Sequence, residues 1–284
     1  LRDEQVPRPH RPWFEGWSGS VYLPWERWLM GRPRCQAVFV RDKLTAEHLR
    51  QWQIPARYEG NPMMDGLNAA TAKLARLSAI APATQPLLTV ALLPGSRAPE
   101  AFDNWQLMLK AVDSVRQAFA DRQIRCLAAI APSLNLSAFK DELVLEEWTP
   151  LAGQYPTFSR NNVLLVLTQD AFAECLHLAD CAIATAGTAI EQMVGLGKPA
   201  FTFPGQGPQF TRTFAEVQSR LLGPSVTLVP DPEAVGAAMQ TCLHDSQRLH
   251  QIAENGRHRM GQAGAAGRMA MVLHKLYSTG ACIG

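Results

Sequence analysis

"ATAGTAIEQMVGLGKPAFTFPG" runs from Ala184 to Gly205, and its reading decides the fold. The apolar run leading into it, "CAIATA" (Cys181–Ala186), stops at Gly187 and Thr188. A helical pattern follows, then Gly197, Lys198 and Pro199, then a second apolar run, "PAFTFPG". Strand, glycine turn, helix and strand form the repeating unit of a parallel sheet with helical crossovers. Ligands of such sheets bind beyond the carboxyl ends of the strands, where a helix N-terminus offers N–H groups and a positive dipole end. Gly187 has no Cβ to keep a phosphate away from the backbone. Thr185 and Thr188 add hydroxyl donors, so a diphosphate fits this chemistry. "TAIE" (Thr188–Glu191) is also a capping box, with Thr188 as the cap and Glu191 bonding back. Glu191 has two readings as well: acceptor for both ribose hydroxyls of a nucleotide, or a solvated first-turn acid.

Working outward, the same rhythm covers residues 87–284. "LLTVALL", "IRCLAAIAP", "NVLLVLT" and "SVTLVP" read as further strands, separated by helical stretches such as "PEAFDNWQLMLKAVDSVRQAFA". "TVALL", "VLLVL" and "CAIATA" are apolar throughout, the pattern of strands covered on both faces. The expected fold class is therefore α/β: a doubly wound parallel sheet of Rossmann type over 87–284, whose last helices return to the N-terminal part. Residues 66–86, Ala/Thr-rich and ending in prolines, read as a linker or a loosely helical connection. Residues 1–65 read as the C-terminal part of a second, incomplete α/β domain. There "QAVFVR" and "ARYEG" are β-like, and a helix is expected to start at Thr45.

Two more loops fall at predicted strand ends. "LLPGSRAPEA" (Leu92–Ala101) offers backbone donors at Gly95 and Ser96, and Arg97 can neutralise a diphosphate with two parallel bonds. "FPGQGPQFT" (Phe203–Thr211) brings Gln206 and Gln209 to a sugar or a phosphate. Either loop alone is an ordinary turn. Several such loops at one sheet edge point to a shared anion site.

A formal net charge of +2 gives no footing for general nucleic-acid binding. None of the six cysteines is in CxxC spacing and none joins histidines in a zinc pattern, so a reducing compartment is expected. No apolar run reaches about 18 residues. Residues 1–34 hold four of the seven tryptophans, Trp13, Trp17, Trp25 and Trp28, among several arginines. That composition suits a lipid interface; the competing reading packs these rings in the protein's own core.

"LLPGSRAPE", "ATAGTAIEQMVGLGKP" and "GPQFTRTFAEVQSRLLG", in this order, resemble the C-terminal half of GT-B glycosyltransferases, and lipid-A-disaccharide synthase in particular. "VRDKLTAEHLRQWQIPARYEGNPMMDGL" looks like the end of that family's N-terminal domain, and "RMGQAGAAGRMAMVL" (Arg259–Leu273) like its closing helical segment. The resemblance spans roughly residues 35–279. It implies two Rossmann-like domains, with Gly95, Ser96, Arg97, Thr185, Gly187 and Thr188 on the diphosphate of a UDP-sugar. Glu191 would meet the ribose, and Gln206 and Gln209 the donor sugar or a phosphate. It implies transfer of the sugar to a lipid-linked or other glycan acceptor without a required metal or other cofactor. A cytoplasmic protein, peripheral on the inner membrane surface, would follow. The family's opening strand, glycine loop and catalytic-base region have no counterpart in these residues, so no catalytic base is named. A UDP-sugar 2-epimerase of the same fold and a non-catalytic nucleotide-sugar-binding module are the alternatives. Donor sugar, acceptor and oligomeric state are not legible.

Overall fold

The structure is a computed structural model that describes Trp17 and residues 19–80, 86–205 and 210–278. The chain divides into two units, residues 67–257 and residues 1–66 together with 258–284.

The larger unit is built on an eight-stranded sheet. In chain order its strands are β3 (Leu87–Leu93), β4 (Gln123–Ala129), β5 (Thr149–Leu151), β6 (Thr157–Arg160), β7 (Val163–Thr168), β8 (Cys181–Ala184), β9 (Ala200–Thr202) and β10 (Val226–Leu228). Across the sheet the order is β10-β9-β8-β3-β4-β7-β6-β5. All pairings from β10 to β7 are parallel; the pairings β7–β6 and β6–β5 are antiparallel, so β6 alone is reversed. The expected doubly wound α/β sheet is thus present. From β3 the chain winds out through β4 to β7, returns to β8, and winds out the other way to β10. The order therefore reverses between β3 and β8, the position at which open α/β sheets place their ligand crevice.

Both faces of the sheet are covered, as the unbroken apolar strands require. Ile124, Cys126 and Ala128 of β4 and Leu165 and Leu167 of β7 join one core. That core is filled by α4 (Glu100–Ala118), α5 (Leu136–Leu145) and α9 (Val235–Leu243). Trp105 of α4 is fully buried in it, edge-on to Phe139 with ring centroids 5.4 Å apart. The alternate residues Leu127 and Val166 face the other side, against Leu77 of α3 (Thr71–Ser78) and Cys175 of α6 (Phe172–Leu178). This is the period-2 alternation of a strand, with both phases apolar.

Close helix approach uses glycine. A Cβ on Gly236 of α9 would collide with the Ser114 carbonyl of α4. A Cβ on Gly256 of α10 (Ser246–Met260) would collide with the Val194 carbonyl.

Three local features add to the sequence reading. β5 and β6 form a hairpin that the sequence reading passed over: β5 is exposed along its length and contains Pro150, so it carries no apolar signal. Residues 66–86 contain α3, which is tied at both ends. The buried Glu174 accepts the Ala70 N–H at 2.8 Å, and Arg125 donates to the Leu77 and Ser78 carbonyls. Lys198, in the glycine-flanked turn before β9, donates to the Leu176, His177 and Ala179 carbonyls and so closes the C-terminus of α6. Burial lowers the pKa of this ammonium, with Asp180 opposing that effect.

The smaller unit is a β–α–β element. β1 (Val38–Phe39) and β2 (Ala56–Arg57) are parallel and joined by α2 (Lys43–Arg50). Val40, Ala46, Leu49, Ile54 and Ala56 make its core. Helix α2 starts at Lys43 rather than Thr45, because Asp42 is the cap and takes both the N–H and the hydroxyl of Thr45. α1 (Pro24–Met30) precedes this element. α11 (Ala265–Ser278) belongs to the same unit, and the Asp65 carboxylate accepts the N–H groups of Gly264, Ala265 and Ala266 at its start.

Candidate functional site

The candidate site lies at the carboxyl ends of β3, β8 and β9. Leu93 and Ala184 are register partners, so the loops that follow them leave the sheet side by side. The first loop turns at Gly95, whose φ of +108° is a backbone shape that side chains disfavour. Ser96 and Arg97 are exposed beyond it, at the entry to α4. The Ser96 carbonyl takes the Ser133 hydroxyl at 3.3 Å.

Thr185 fastens the second loop to the first. It is buried, its N–H donates to the Leu93 carbonyl at 3.1 Å, and its hydroxyl donates to the Pro94 carbonyl at 3.3 Å. A threonine hydroxyl has a single proton to give. In this arrangement that proton serves the loop, so Thr185 acts as a positioning group.

Helix α7 (Gly187–Gly195) follows, with Ala186 as N-cap and no side-chain capping bond. The capping box expected between Thr188 and Glu191 is therefore not formed. The helix starts ahead of Thr188, which lies in the first turn and is exposed, while Glu191 is buried at 2% exposure. The N-cap Ala186 offers no side-chain acceptor to the first-turn N–H groups of α7, which carry the positive end of the helix dipole.

Helix α8 (Arg212–Leu222) braces this turn. The buried Gln218 donates its amide N–H to the Gly187 carbonyl at 2.8 Å. A Cβ built on Gly187 would stand 3.4 Å from the Phe214 ring and 3.8 Å from Gln218, in ordinary contact with both.

The third loop follows β9. Thr202 donates to the Ala184 carbonyl at 2.7 Å, and the Gly205 N–H meets the Phe210 carbonyl at 3.0 Å. Gln206 and Gln209 lie outside the described residues. Asn104 of α4 links the first and third loops. Its amide donates to the Pro94 carbonyl at 3.2 Å, and a Cβ on Gly205 would stand 2.7 Å from its amide oxygen. The sequence reading missed Asn104; the available signal was a polar residue beside Trp105 on the core face of an amphipathic helix.

The structure thus brings Gly95, Thr185 and Gly187 together at the switch point, with Ser96, Arg97, Thr188 and Glu191 on the same sheet edge. Burial pushes the Cys126 and Cys175 thiols up to about 12, so both stay protonated in the core. Among the described residues no group of three or more His, Cys, Asp or Glu could hold a metal ion.

No protein-family model matches the sequence. No curated protein matches it either. Solved structures do. A provisionally assigned UDP-N-acetylglucosamine 2-epimerase of Listeria monocytogenes superposes with a TM-score of 0.57 at 15% identity, over 86% of this chain and 60% of that one. The UDP-GlcNAc 2-epimerase of Neisseria meningitidis, solved with UDP-GlcNAc, gives 0.55 at 15% identity over 84% and 62%. The Methanocaldococcus jannaschii enzyme, solved with UDP-GlcNAc and UDP, gives 0.52 at 16% identity over 84% and 61%. The chain spans about 60% of the length of these structures. At such identities the likeness concerns the fold: this chain has the GT-B-like α/β architecture of these UDP-sugar enzymes.

Proposed function

We propose that this chain carries the nucleotide-sugar site of a GT-B glycosyltransferase that takes a UDP-sugar donor and a lipid-linked or other glycan acceptor. One observation carries the donor site: the loops after β3 and β8 are joined at the switch point by Thr185, next to the first turn of α7, whose N-cap is Ala186. A diphosphate placed there meets backbone N–H groups, with Arg97 at hand for its charge. Glu191, one turn further on, is the candidate for the ribose hydroxyls.

In a transfer reaction the C1–O bond to UDP breaks and a bond from C1 to the acceptor oxygen forms. Negative charge develops on the leaving diphosphate, and donors already in place stabilise it without reorganising. The acceptor's proton goes to a base outside the residues identified above. No nucleophile or metal is assigned a part in this scheme.

The second reading is a UDP-sugar 2-epimerase, supported by the solved structures just described. The loops 94–99, 185–186 and 203–211 supply donors and a cation but no carboxylate or histidine. Either reaction needs a proton-transferring group from outside these loops. The lipid-A-disaccharide synthase likeness rests on the ordered sequence motifs alone.

Titration with UDP, UDP-GlcNAc and GDP tests the donor site. UDP should bind, and Gly187→Val should weaken it at least about tenfold, ~1.4 kcal/mol. Unchanged affinity in a folded Gly187→Val protein would remove the site. Incubation with UDP-GlcNAc alone then separates the two reactions, since an epimerase alters the donor without an acceptor and a transferase does not.

A further inference from the structure

We propose that Gln218 is a positioning residue of the donor site: it grips the peptide between Gly187 and Thr188 by its carbonyl and aims the Thr188 N–H at the diphosphate. The role rests on the donor site proposed above.

A buried side-chain amide is ordinarily satisfied at both its oxygen and its nitrogen. Gln218 is not. It is 1% exposed on α8, and its NH2 group donates to the Gly187 carbonyl at 2.8 Å. Its amide oxygen is buried and accepts no hydrogen bond among the described residues. The orientation is forced, because the Gly187 oxygen can only accept and so must face the NH2 end. An acceptor left unpaired in the interior destabilises the fold, and an apolar side chain of similar size would avoid that cost.

The Gly187 carbonyl does not need the bond either. In an α-helix it takes the N–H four residues on, just as Ala186 takes that of Ile190 at 3.1 Å. Gln218 is therefore a second donor to an oxygen the helix already satisfies, bought with an oxygen of its own that is not satisfied. Core stability does not explain that exchange. The geometry of the peptide does. The unit joining Gly187 and Thr188 is planar and trans, so its N–H points opposite to its carbonyl. The Thr188 N–H belongs to the first turn, has no acceptor within the helix, and points out of the N-terminal end of α7. A donor on the carbonyl draws charge from the N–H on the far side, so the two bonds strengthen each other. It also fixes the peptide plane before charge develops on a leaving diphosphate.

Gln218 is itself held in place by its helix. The Thr211 hydroxyl caps α8 by accepting the Phe214 N–H at 3.2 Å, and Ala215, Leu221 and Leu222 bury its inner face. Phe214, one turn before Gln218, meets Phe210 edge-on with ring centroids 5.5 Å apart. Its ring lies 3.4 Å from the place of a Gly187 Cβ, so α8 rests directly on the start of α7.

Gln218→Met tests the role, because it keeps the volume, removes the grip and leaves the Gly187 carbonyl its helix bond. The variant should melt at or above the wild-type temperature. UDP and inorganic pyrophosphate should bind at least about fivefold more weakly. Uridine, which lacks the diphosphate, should stay within about twofold of wild type in titrations followed by NMR. Gln218→Leu should repeat the pattern. A purely structural role gives the reverse, a lower melting temperature with equal loss for all three ligands, and that result overturns the proposal. Wild-type affinity for UDP in either folded variant also overturns it, and leaves the donor site standing. Failure of the wild type to bind UDP and pyrophosphate would remove the donor site and the role of Gln218 with it.

Discussion

The hydroxyl of Thr185 donates to the carbonyl of Pro94 at 3.3 Å, so the turn after β8 is fastened to the turn after β3. The two residues are ninety-one positions apart in sequence and come together because their strands are register neighbours. The contact uses the one proton that Thr185 could otherwise offer a phosphate. Thr185→Val keeps the volume and removes the tether. The Pro94 carbonyl retains Asn104 as a donor, so the stability cost should stay near 1 kcal/mol. UDP affinity should nevertheless fall several-fold, because the loops lose their alignment. Thermal melts paired with UDP titration would check this, and full affinity in the valine variant would return Thr185 to a purely structural role.

Glu191 gives a sharper test. The N-cap of α7 is Ala186, five residues before Glu191. Glu191→Gln should bring the affinities of UDP and 2′-deoxy-UDP closer together, since the ribose 2′-hydroxyl would lose a charged acceptor. Parallel loss for both nucleotides would show that the carboxylate does not read the ribose.

Asp65 makes a pH prediction. The N–H of Ala266 foremost, with those of Gly264 and Ala265, holds its carboxyl below the ordinary carboxylate range. The ionised form is therefore favoured by the fold. Its stabilisation is complete above about pH 4 and is lost as pH falls through the lowered value. Relative to their intrinsic exchange rates, amides at the start of α11 should be less protected in acid than at neutral pH. Asp65→Asn should show lower protection at both, with the acid dependence of protection removed, for a neutral-pH cost of about 1 kcal/mol. Exchange that follows pH equally in both proteins would refute the assignment.

Lys198 sits in a glycine-flanked turn and could be mistaken for a phosphate ligand. It lies at the amino end of β9, and a strand of this length separates it from the site by about 10 Å. Lys198→Met should cost ~1–3 kcal/mol through the three carbonyls it leaves, with UDP affinity unchanged. A tenfold loss of UDP binding in a stable Lys198→Met protein would contradict the position assigned to it.

The parallel strands and the three loops were legible because their signals are local: unbroken apolar runs, then proline and glycine where the chain turns. The reading of Thr188 as a helix cap does not hold, since a sequence-level capping pattern cannot tell whether the helix begins two residues earlier. The β5–β6 hairpin escaped because Thr149–Leu151 is exposed and interrupted by proline, so neither alternation nor an apolar run marks it. Asp65, Glu174 and Lys198 were illegible as caps, because each serves a helix that is not its own. Asp65 is 199 positions from the Gly264 N–H it accepts. Trp25 and Trp28 are exposed in the described residues. Trp13 lies outside the described residues.

The helix approaches at Gly236 and Gly256 have a genetic consequence. At each of them a backbone carbonyl of another helix occupies the space that a Cβ would need. Every residue reachable from a glycine codon by a single base change carries a side chain, and a carbonyl on a neighbouring helix cannot swing aside as a flexible side chain can. Missense alleles at these two codons should therefore be null through lost protein rather than lost chemistry. Suppressors should arise where the opposing helix can shift, around Ser114 and Val194, and seldom in the loops that hold the ligand.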